Sequence, residues 1–126
     1  MAIVLISAPL AFASPTSRVV ATIRAEQSAF NAKHWQALWR LHTPKYRSTC
    51  SYAKYVAAEK RLRNHSGTVK VTKIRVTVVS RTRALADYFI VPQAGPKTHN
   101  SRDAYARAGV GWLDELNRPG KAGCGY

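Results

Sequence analysis

The spacing of apolar residues near the start of the chain is helical. Val19, Val20, Ile23 and Phe30 lie within one stripe at about 100° per residue, which predicts a first helix beginning at Arg18. A second helical segment covers residues 35–41 and ends at the Thr-Pro pair 43–44, where proline stops one helix and also fits the first turn of another.

A third helix is predicted over residues 52–63. Ser51 is suited to cap its first turn, and the sequence Asn-His-Ser-Gly at 64–67 provides a stop signal. The apolar stripe of this helix contains Glu59 near its middle. Two interpretations of this acid are open: an ion pair with Arg63 one turn later on a half-buried surface, or a carboxylate in a pocket.

After Gly67 the pattern changes from helical to alternating, which predicts strands. The first strand covers residues 68–79, and a change of parity within it indicates a bulge near Thr72. Further strands are predicted at 84–91, 102–108 and 112–116, and the second is apolar on both faces, which predicts a sheet covered on both sides. Three helices followed by an antiparallel meander of about four strands indicate an α+β fold.

The ends of the chain differ in composition from this central part. Residues 1–13 contain no charged side chain, and Ala-Phe-Ala at 11–13 resembles a signal-peptidase site, so we expect a signal peptide, itself truncated, and a single mature domain over 14–126. The alternative is a buried strand at 3–6. The apolar segment is too short to span a membrane as a helix, and residues 117–126 are predicted to be an irregular tail.

Charge and cysteine content bear on the compartment and on the partners. The chain has 20 Lys and Arg against 6 Asp and Glu, a net charge of +14, which favours anionic partners. In an exported protein the two cysteines, Cys50 and Cys124, are expected to form a disulfide, the alternative being two buried thiols. We therefore expect a secreted or cell-envelope protein.

The order of elements and three motifs resemble the nuclear transport factor 2-like superfamily, which includes the SnoaL-like proteins. The motifs are WxALWxLxxPxYR at residues 35–47, YxxYV at 52–56 and YxR at 105–107 before Trp112. The resemblance implies a cone in which a curved sheet wraps around a long first helix. It covers isomerases, dehydratases, cyclases and epoxide hydrolases, but also members that only bind partners or small apolar molecules. Members commonly carry an acid with glycine before the late tryptophan, whereas this chain has Gly-Val-Gly at 109–111.

Catalytic members of the superfamily use a carboxylate base in an apolar cavity with a Tyr or protonated acid as donor. Candidate carboxylates by stripe and parity are Glu26, Glu59, Asp87 and Asp103. The alternation Asp103, Tyr105, Arg107 fits a polar pocket wall and equally a solvent-facing strand. Candidate pocket residues are Gln27, Phe30, Trp35, Trp39, Tyr88, Tyr105 and Trp112, with helix packing as the first interpretation of the two helical tryptophans.

Neither a metal nor a cofactor is expected. His34 and His42 flank a helix break without a ligand spacing, and no Cys-x-x-Cys occurs. Nucleic acid is disfavoured as a partner because groove-reading motifs are missing. The most closely spaced cationic side chains could instead form a patch that binds an anionic envelope or lipid surface: Lys60, Arg61, Arg63, Lys73 and Arg75. The sequence favours a non-catalytic binding or interaction module with an apolar pocket. An isomerase or dehydratase and an anionic-surface binder are the alternatives, and a homodimer is left open.

Overall fold

The structure is a computed structural model and describes residues 14–115. Four helices precede four strands. The elements are α1 (Pro15–Asn31), α2 (Trp35–Arg40), α3 (Pro44–Ser48), α4 (Tyr52–Ser66), β1 (Val69–Val78), β2 (Arg83–Pro92), β3 (Thr98–Ala108) and β4 (Gly111–Asp114). The predicted signal peptide, the tail and Cys124 lie outside these residues, so export and the Cys50 to Cys124 disulfide stay predictions.

Hydroxyl side chains fix where three of the helices begin. Ser14, Thr43 and Ser51 each accept a hydrogen bond from a backbone N–H in the first turn of the helix that follows. Pro15 and Pro44 stand at the first helical positions, where a missing N–H has no cost. The Thr-Pro pair therefore ends one helix and starts the short α3, which adds a fourth helix to the predicted three.

The strands form one antiparallel meander in the order β1-β2-β3-β4. The register of β1 on β2 shifts between Thr72 and Arg75, which confirms the bulge predicted near Thr72. A second register shift, between Ala86 and Tyr88, occurs where β2 pairs with β3. Lys73 and Arg102 lie at these irregularities with φ of 55° and 56°. Bulges bend strands, so the sheet curls into a half-barrel, and the predicted α+β cone is confirmed.

The two faces of the sheet are unequal. On β2 the inward residues Ala84, Ala86 and Tyr88 are buried, whereas the outward residues are half-buried or exposed. Outward-facing Phe89 stacks on His99 with ring centroids 4.6 Å apart. Within residues 14–115 the outward side chains of β2 are only half-buried or exposed, so this part of the chain does not show the second cover that the sequence predicts.

Helix α1 covers the otherwise unpaired edge of β1. Asn31 Nδ2 donates to the carbonyl of Val69, and the N–H of Val69 donates back to Asn31 Oδ1, at 2.9 and 2.8 Å. One turn earlier, Gln27 Oε1 accepts from the N–H of Val71 at 2.8 Å. The amides satisfy strand groups that would otherwise face water or another chain.

Two clusters form the core of the described part. One joins α1 to the concave sheet through Val19, Ile23 and Trp112, and the other joins the helices around Phe30 and Tyr55. Between the two clusters the sheet and helices leave space. Among the described helices, none is long and apolar enough to cross a membrane.

Candidate functional site

A cavity of about 320 Å³ lies between the concave face of the sheet and the helices. Its size is at the lower end of the range for small-molecule sites. The cavity is lined by apolar, aromatic and acidic side chains from all layers of the fold: Ile23, Glu26, Gln27, Phe30, Leu38, His42, Tyr55, Glu59, Leu62, Ser66, Val69, Val71, Tyr88, Ile90, Pro92, Thr98, His99, Asn100, Asp103 and Asp114.

This wall is rich in acidic side chains, whereas the chain as a whole is basic. The sequence has only 6 acidic residues, and four of them line the cavity: Glu26, Glu59, Asp103 and Asp114. Among residues 14–115, no lysine or arginine belongs to the lining. Glu59, Asp103 and Asp114 are 2%, 5% and 3% exposed. Carboxyl groups are seldom so buried, and such groups in a cleft mark functional sites.

His42 and Asp114 are brought together by the backbone. A parallel bridge pairs the two residues, with the N–H of Asp114 donating to Leu41 O at 2.8 Å and the N–H of Thr43 donating to Asp114 O at 2.9 Å. The segment after α2 thereby lies along the edge of β4. Paired positions on adjacent strands place their side chains on the same side, so the imidazole and the carboxyl group both face the cavity.

The hydrogen bond of His42 to the backbone indicates its tautomer. Nδ1 lies 3.1 Å from the carbonyl oxygen of Leu38, which only accepts, so Nδ1 carries the proton and donates. The unprotonated Nε2 lies 4.0 Å from Asp114 Oδ2. The ring stacks on Tyr46 at a centroid distance of 4.4 Å. His42 is thus held with a lone pair toward the acids.

A chain of hydrogen bonds crosses the cavity wall from α1 to β2. The hydroxyl of Tyr105 lies 2.9 Å from Glu26 Oε1 and 3.2 Å from Asp103 Oδ2. Tyr88 donates to Asp103 Oδ2 at 2.8 Å and accepts from Asn100 Nδ2 at 2.6 Å. Alternate positions on one strand place Asp103 and Tyr105 on the same face, and the chain links Glu26 to both.

Burial shifts the pKa values of Glu26 and Asp103 upward and that of His42 downward. Burial raises the pKa of Glu26 to about 8, with the charges of Asp103 and Glu59 adding to the rise. Burial, together with the charge of Asp114, also raises the pKa of Asp103 well above its usual value. Burial lowers the pKa of His42 to about 4. At neutral pH Glu26 therefore holds a proton and His42 does not.

The α4 side of the cavity carries a tyrosine whose hydroxyl is unsatisfied. Tyr55 is 0% exposed and lines the cavity, and its Oη has no hydrogen-bond partner among residues 14–115. The ring packs against Trp39 with centroids 4.8 Å apart. Buried hydroxyl groups normally have a partner, so this one is available to a bound molecule.

Glu26, His42 and Asp114 also lie close enough to suggest a cation site. One ligand atom from each lies within 4.8 Å of the others. Donor atoms on a tetrahedral zinc ion are about 3.4 Å apart, given bonds of about 2.1 Å. His42 Nε2 and Asp114 Oδ2, at 4.0 Å, would have to close in to share an ion.

The structure brings together most of the predicted site residues. Gln27, Phe30, Glu59, Tyr88 and Asp103 line the cavity. The surface interpretation of Glu59 was wrong, because its position on α4 turns inward. The solvent-facing interpretation of the third strand was wrong for Asp103 and for Tyr105, which is 0% exposed and reaches the lining acids through its hydroxyl.

Four other predicted residues lie elsewhere. Trp35 and Trp39 pack in the helical cluster, as their first interpretation had it, and Trp112 fills the core beside α1. Asp87 has the opposite parity to Tyr88, so it points to the outer face, where it accepts from the N–H of Arg102 at 3.1 Å. None of these four lines the cavity in the described part of the chain.

Sequence reasoning missed two central residues. Asp114 follows Trp112 at an alternate position on β4, so parity could have predicted its inward orientation. His42 was set aside because no second ligand stood at a metal spacing in the sequence. Its partners come from α1 and β4, and only the bridge to Asp114 brings them together.

The predicted cationic patch is exposed over most of its residues. Lys60, Arg61, Lys73 and Arg75 are exposed, whereas Arg63 is half-buried and donates to the carbonyl of Asn31 at 3.3 Å. The ammonium of Lys73 lies 5.8 Å from the ring of outward-facing Phe89. Lys73 and Arg75 therefore belong to the outer surface, away from the acidic cavity.

No protein-family model and no curated protein matches this chain. Three solved structures share its fold. One is a candidate scytalone dehydratase from Novosphingobium aromaticivorans, with a TM-score of 0.56 at 11% identity over 79% of this chain and 78% of the other. Another is a candidate dehydratase of the nuclear transport factor 2-like family from Streptomyces avermitilis, with a TM-score of 0.54 at 14% identity over 78% and 89%.

The third similar structure is a SEC-C motif protein from Rhodopseudomonas palustris, with a TM-score of 0.58 at 13% identity over 79% of this chain and 77% of the other. The fold of the chain is that of the nuclear transport factor 2-like superfamily, as the sequence motifs indicated. These identities concern the fold alone, so function has to be argued from the cavity.

Proposed function

We propose that the cavity is the active site of a small enzyme that moves protons on an organic substrate, as a dehydratase or a double-bond isomerase. One observation carries the proposal: Glu26 and His42 face the same cavity with pKa values displaced in opposite directions, to about 8 and about 4. Environments that separate two pKa values in this way assign an acid and a base.

In a dehydration, the base acts first. His42 Nε2 takes a proton from a carbon next to a carbonyl group, and Glu26 gives its proton to the hydroxyl group on the adjacent carbon. The carbon–oxygen bond breaks, water leaves and a carbon–carbon double bond forms. In an isomerisation, Glu26 would instead protonate a distant carbon of the same conjugated system.

The remaining groups of the wall would support these two steps. Asp114 lies 4.0 Å from His42 Nε2 and its side chain hydrogen-bonds Glu26, so a water molecule between His42 and Asp114 would let Asp114 return the proton from the base to the acid. The hydroxyl of Tyr105 lies 2.9 Å from Glu26 Oε1, which orients the carboxyl group. A low-polarity cavity strengthens each of these interactions.

The sequence alone favours a non-catalytic binding module. A hollow cone that holds a buried carboxyl group within hydrogen-bond distance of a tyrosine hydroxyl favours the enzyme, and Asp103 with Tyr88, at 2.8 Å, satisfies that condition. The resemblance to two candidate dehydratases supports the same choice without identifying a substrate.

A pair of simple probes tests the chemistry. 3-Hydroxycyclohexanone loses water to give cyclohex-2-enone, and cyclohex-3-enone isomerises to the same product, so one ultraviolet signal follows both reactions. His42→Gln and Glu26→Gln should each lower kcat/KM by about 100-fold or more. The control is His34→Gln, since His34 is an exposed residue before α2 that makes no capping hydrogen bond. EDTA in every assay removes trace metals.

Two results would count against the enzyme. Turnover of both probes no faster than in buffer would favour binding without catalysis. Turnover that survives both substitutions at the level of the control would place the chemistry elsewhere. Retention of a native thermal transition by each variant ensures that lost activity reflects the chemistry and not unfolding.

A separate surface role is supported by the exposed cations. We propose that Lys60, Arg61, Lys73 and Arg75, with a chain charge of +14, bind an anionic envelope or lipid surface after export. This role would localise the protein and leaves the cavity accessible to a small molecule.

A further inference from the structure

The acidic composition of the cavity wall restricts what can bind inside it. Four carboxyl groups line the cavity, and no lysine or arginine of residues 14–115 does. Within this part of the chain an anionic substrate would meet several acids and no cationic side chain. A neutral substrate needs one acid and one base and gives no reason for four. The wall therefore favours a ligand with a positive charge.

One side of the cavity is built to receive such a group. Tyr55 and Glu59 stand four residues apart on α4, which places both side chains on the same face of the helix. Both line the cavity and are 0% and 2% exposed. The hydroxyl of Tyr55 has no partner among the described residues, so an N–H donor in the cavity would satisfy its oxygen.

Aromatic and apolar side chains complete this side of the cavity. Phe30, Leu62 and Ile90 line it together with the ring of Tyr55. Aromatic faces attract cations in addition to excluding water. A carboxylate, a tyrosine oxygen and aromatic faces are the groups that bind an alkylammonium ion, whose apolar part needs a dry wall.

We propose that the substrate of this cavity is a small primary or secondary amine, bound as its ammonium ion between Glu59 and Tyr55. This proposal rests on the proposed function in one respect: the ammonium group at α4 would direct the reacting carbons toward His42 and Glu26. The α4 subsite itself stands on the burial of Tyr55 and Glu59 and on the unsatisfied hydroxyl of Tyr55.

Binding of an ammonium ion should release a proton. The titratable groups that line the cavity with Glu59 come from every surrounding element: Glu26, His42, Tyr55, Tyr88, His99, Asp103 and Asp114. Burial, with the charges of neighbouring acids, raises the pKa of Glu26 and of Asp103, and a cation in the same cavity would favour loss of a proton. The ammonium ion enters, one carboxyl group becomes a carboxylate, and its proton passes to the buffer.

Calorimetry with three probes of equal size tests the proposal without any turnover. The probes are benzylamine, benzyl alcohol and benzoate, titrated at pH 7 in phosphate and in Tris. We expect benzylamine to bind about 10-fold or more tightly than benzyl alcohol, and benzoate not to bind. The difference in binding enthalpy between the two buffers should correspond to release of about one proton for benzylamine and none for the alcohol.

Variants assign the preference to α4. Glu59→Gln and Tyr55→Phe should each remove most of the preference for benzylamine while benzyl alcohol binds as before. Glu115→Gln serves as the control, because it removes a carboxylate from outside the cavity lining. If Glu59→Gln fails to fold, Tyr55→Phe still tests whether α4 causes the preference for benzylamine, because this substitution removes one oxygen and keeps the ring.

The outcomes separate this inference from the proposed function. Equal binding of benzylamine and benzyl alcohol, tighter binding of benzoate, or a preference unchanged in both α4 variants would overturn the amine subsite whatever the enzyme does. Loss of benzylamine binding on addition of EDTA would also overturn it, since a metal would then be the cation. An amine preference that persists while the His42 and Glu26 variants retain full turnover would instead refute the proton-transfer chemistry alone.

Discussion

Replacement of Glu26 by glutamine should change the stability of the protein in a way that depends on pH. The carboxyl group has the ordinary glutamate pKa of 4.5 in the unfolded chain and a pKa of about 8 in the folded chain. A raised pKa means that the stabilising contribution of this group is complete below pH 4.5 and is lost as pH rises toward 8. Glutamine has the same shape and never ionises, so it removes this dependence.

The magnitude follows from the two pKa values. Between pH 4.5 and pH 8, each pH unit lowers the free energy of unfolding by about 1.4 kcal/mol, because Glu26 ionises only in the unfolded chain in that range. At pH 7 the cost is about 3 kcal/mol. Glutamine can still accept from Tyr105, as Glu26 Oε1 does at 2.9 Å. We therefore expect Glu26→Gln to stabilise the protein by up to about 3 kcal/mol at pH 7 and by almost nothing at pH 4.5.

Urea unfolding followed by tryptophan fluorescence at pH 4.5, 6, 7 and 8 measures this difference. The wild type and the variant contain the same His42, so its titration affects both curves alike. Glu115→Gln is the matched control for loss of one carboxylate outside the cavity lining. A difference between wild type and Glu26→Gln that stays constant from pH 4.5 to pH 8 would falsify the raised pKa of Glu26.

Four further predictions concern activity, folding, export and surface binding. The kcat/KM of the probe reactions should rise with pH through about 4 as His42 loses its proton and fall through about 8 as Glu26 ionises; a single ionisation near pH 6.5 would contradict the assignment. Thr43→Ala should destabilise the protein by about 1 kcal/mol in urea unfolding, because Tyr46 loses the hydroxyl acceptor of its N–H, whereas Thr43→Ser should restore it. N-terminal sequencing of exported protein should begin at Ser14, and Met1 at the terminus would refute export. Alkylation should label two thiols only after reduction, and two reactive thiols in denatured, unreduced protein would refute the disulfide. Binding to anionic vesicles should weaken steeply between about 50 and 500 mM salt and after Lys73→Gln with Arg75→Gln, and a flat salt response would remove the surface role.

Local patterns were sufficient to predict much of the fold. The helical stripe around Ile23 and the alternation after Gly67 identified the helices and strands, and the parity change near Thr72 located a bulge that the structure has. These features depend on the period of the backbone, which acts over a few residues. The short helix α3 was harder, because Pro44 both ends one helix and begins another.

The candidate site was predicted less completely than the fold. Parity proposed Asp103 and Tyr105, and the helical stripe proposed Glu26 and Glu59, but a surface interpretation stayed open for all of them except Glu26. A polar residue on an apolar stripe looks the same in sequence whether it faces water or a cavity. The difference is set by what packs opposite: α1 packs against Ala84 and Ala86, and the cavity lies farther along β2, beside Tyr88 and Ile90.

What the sequence alone determines about this protein is its basic charge, its α+β order of elements and the inward parity of its strands, since each depends on composition or on short-range backbone geometry. Only the tertiary structure decided that four of the 6 acids meet in one cavity and that His42 joins them. Residues 26, 42, 103 and 114 lie on different elements, and the curl of the sheet and the bridge between His42 and Asp114 bring them together. Their displaced pKa values follow from that burial and are properties of the assembled fold.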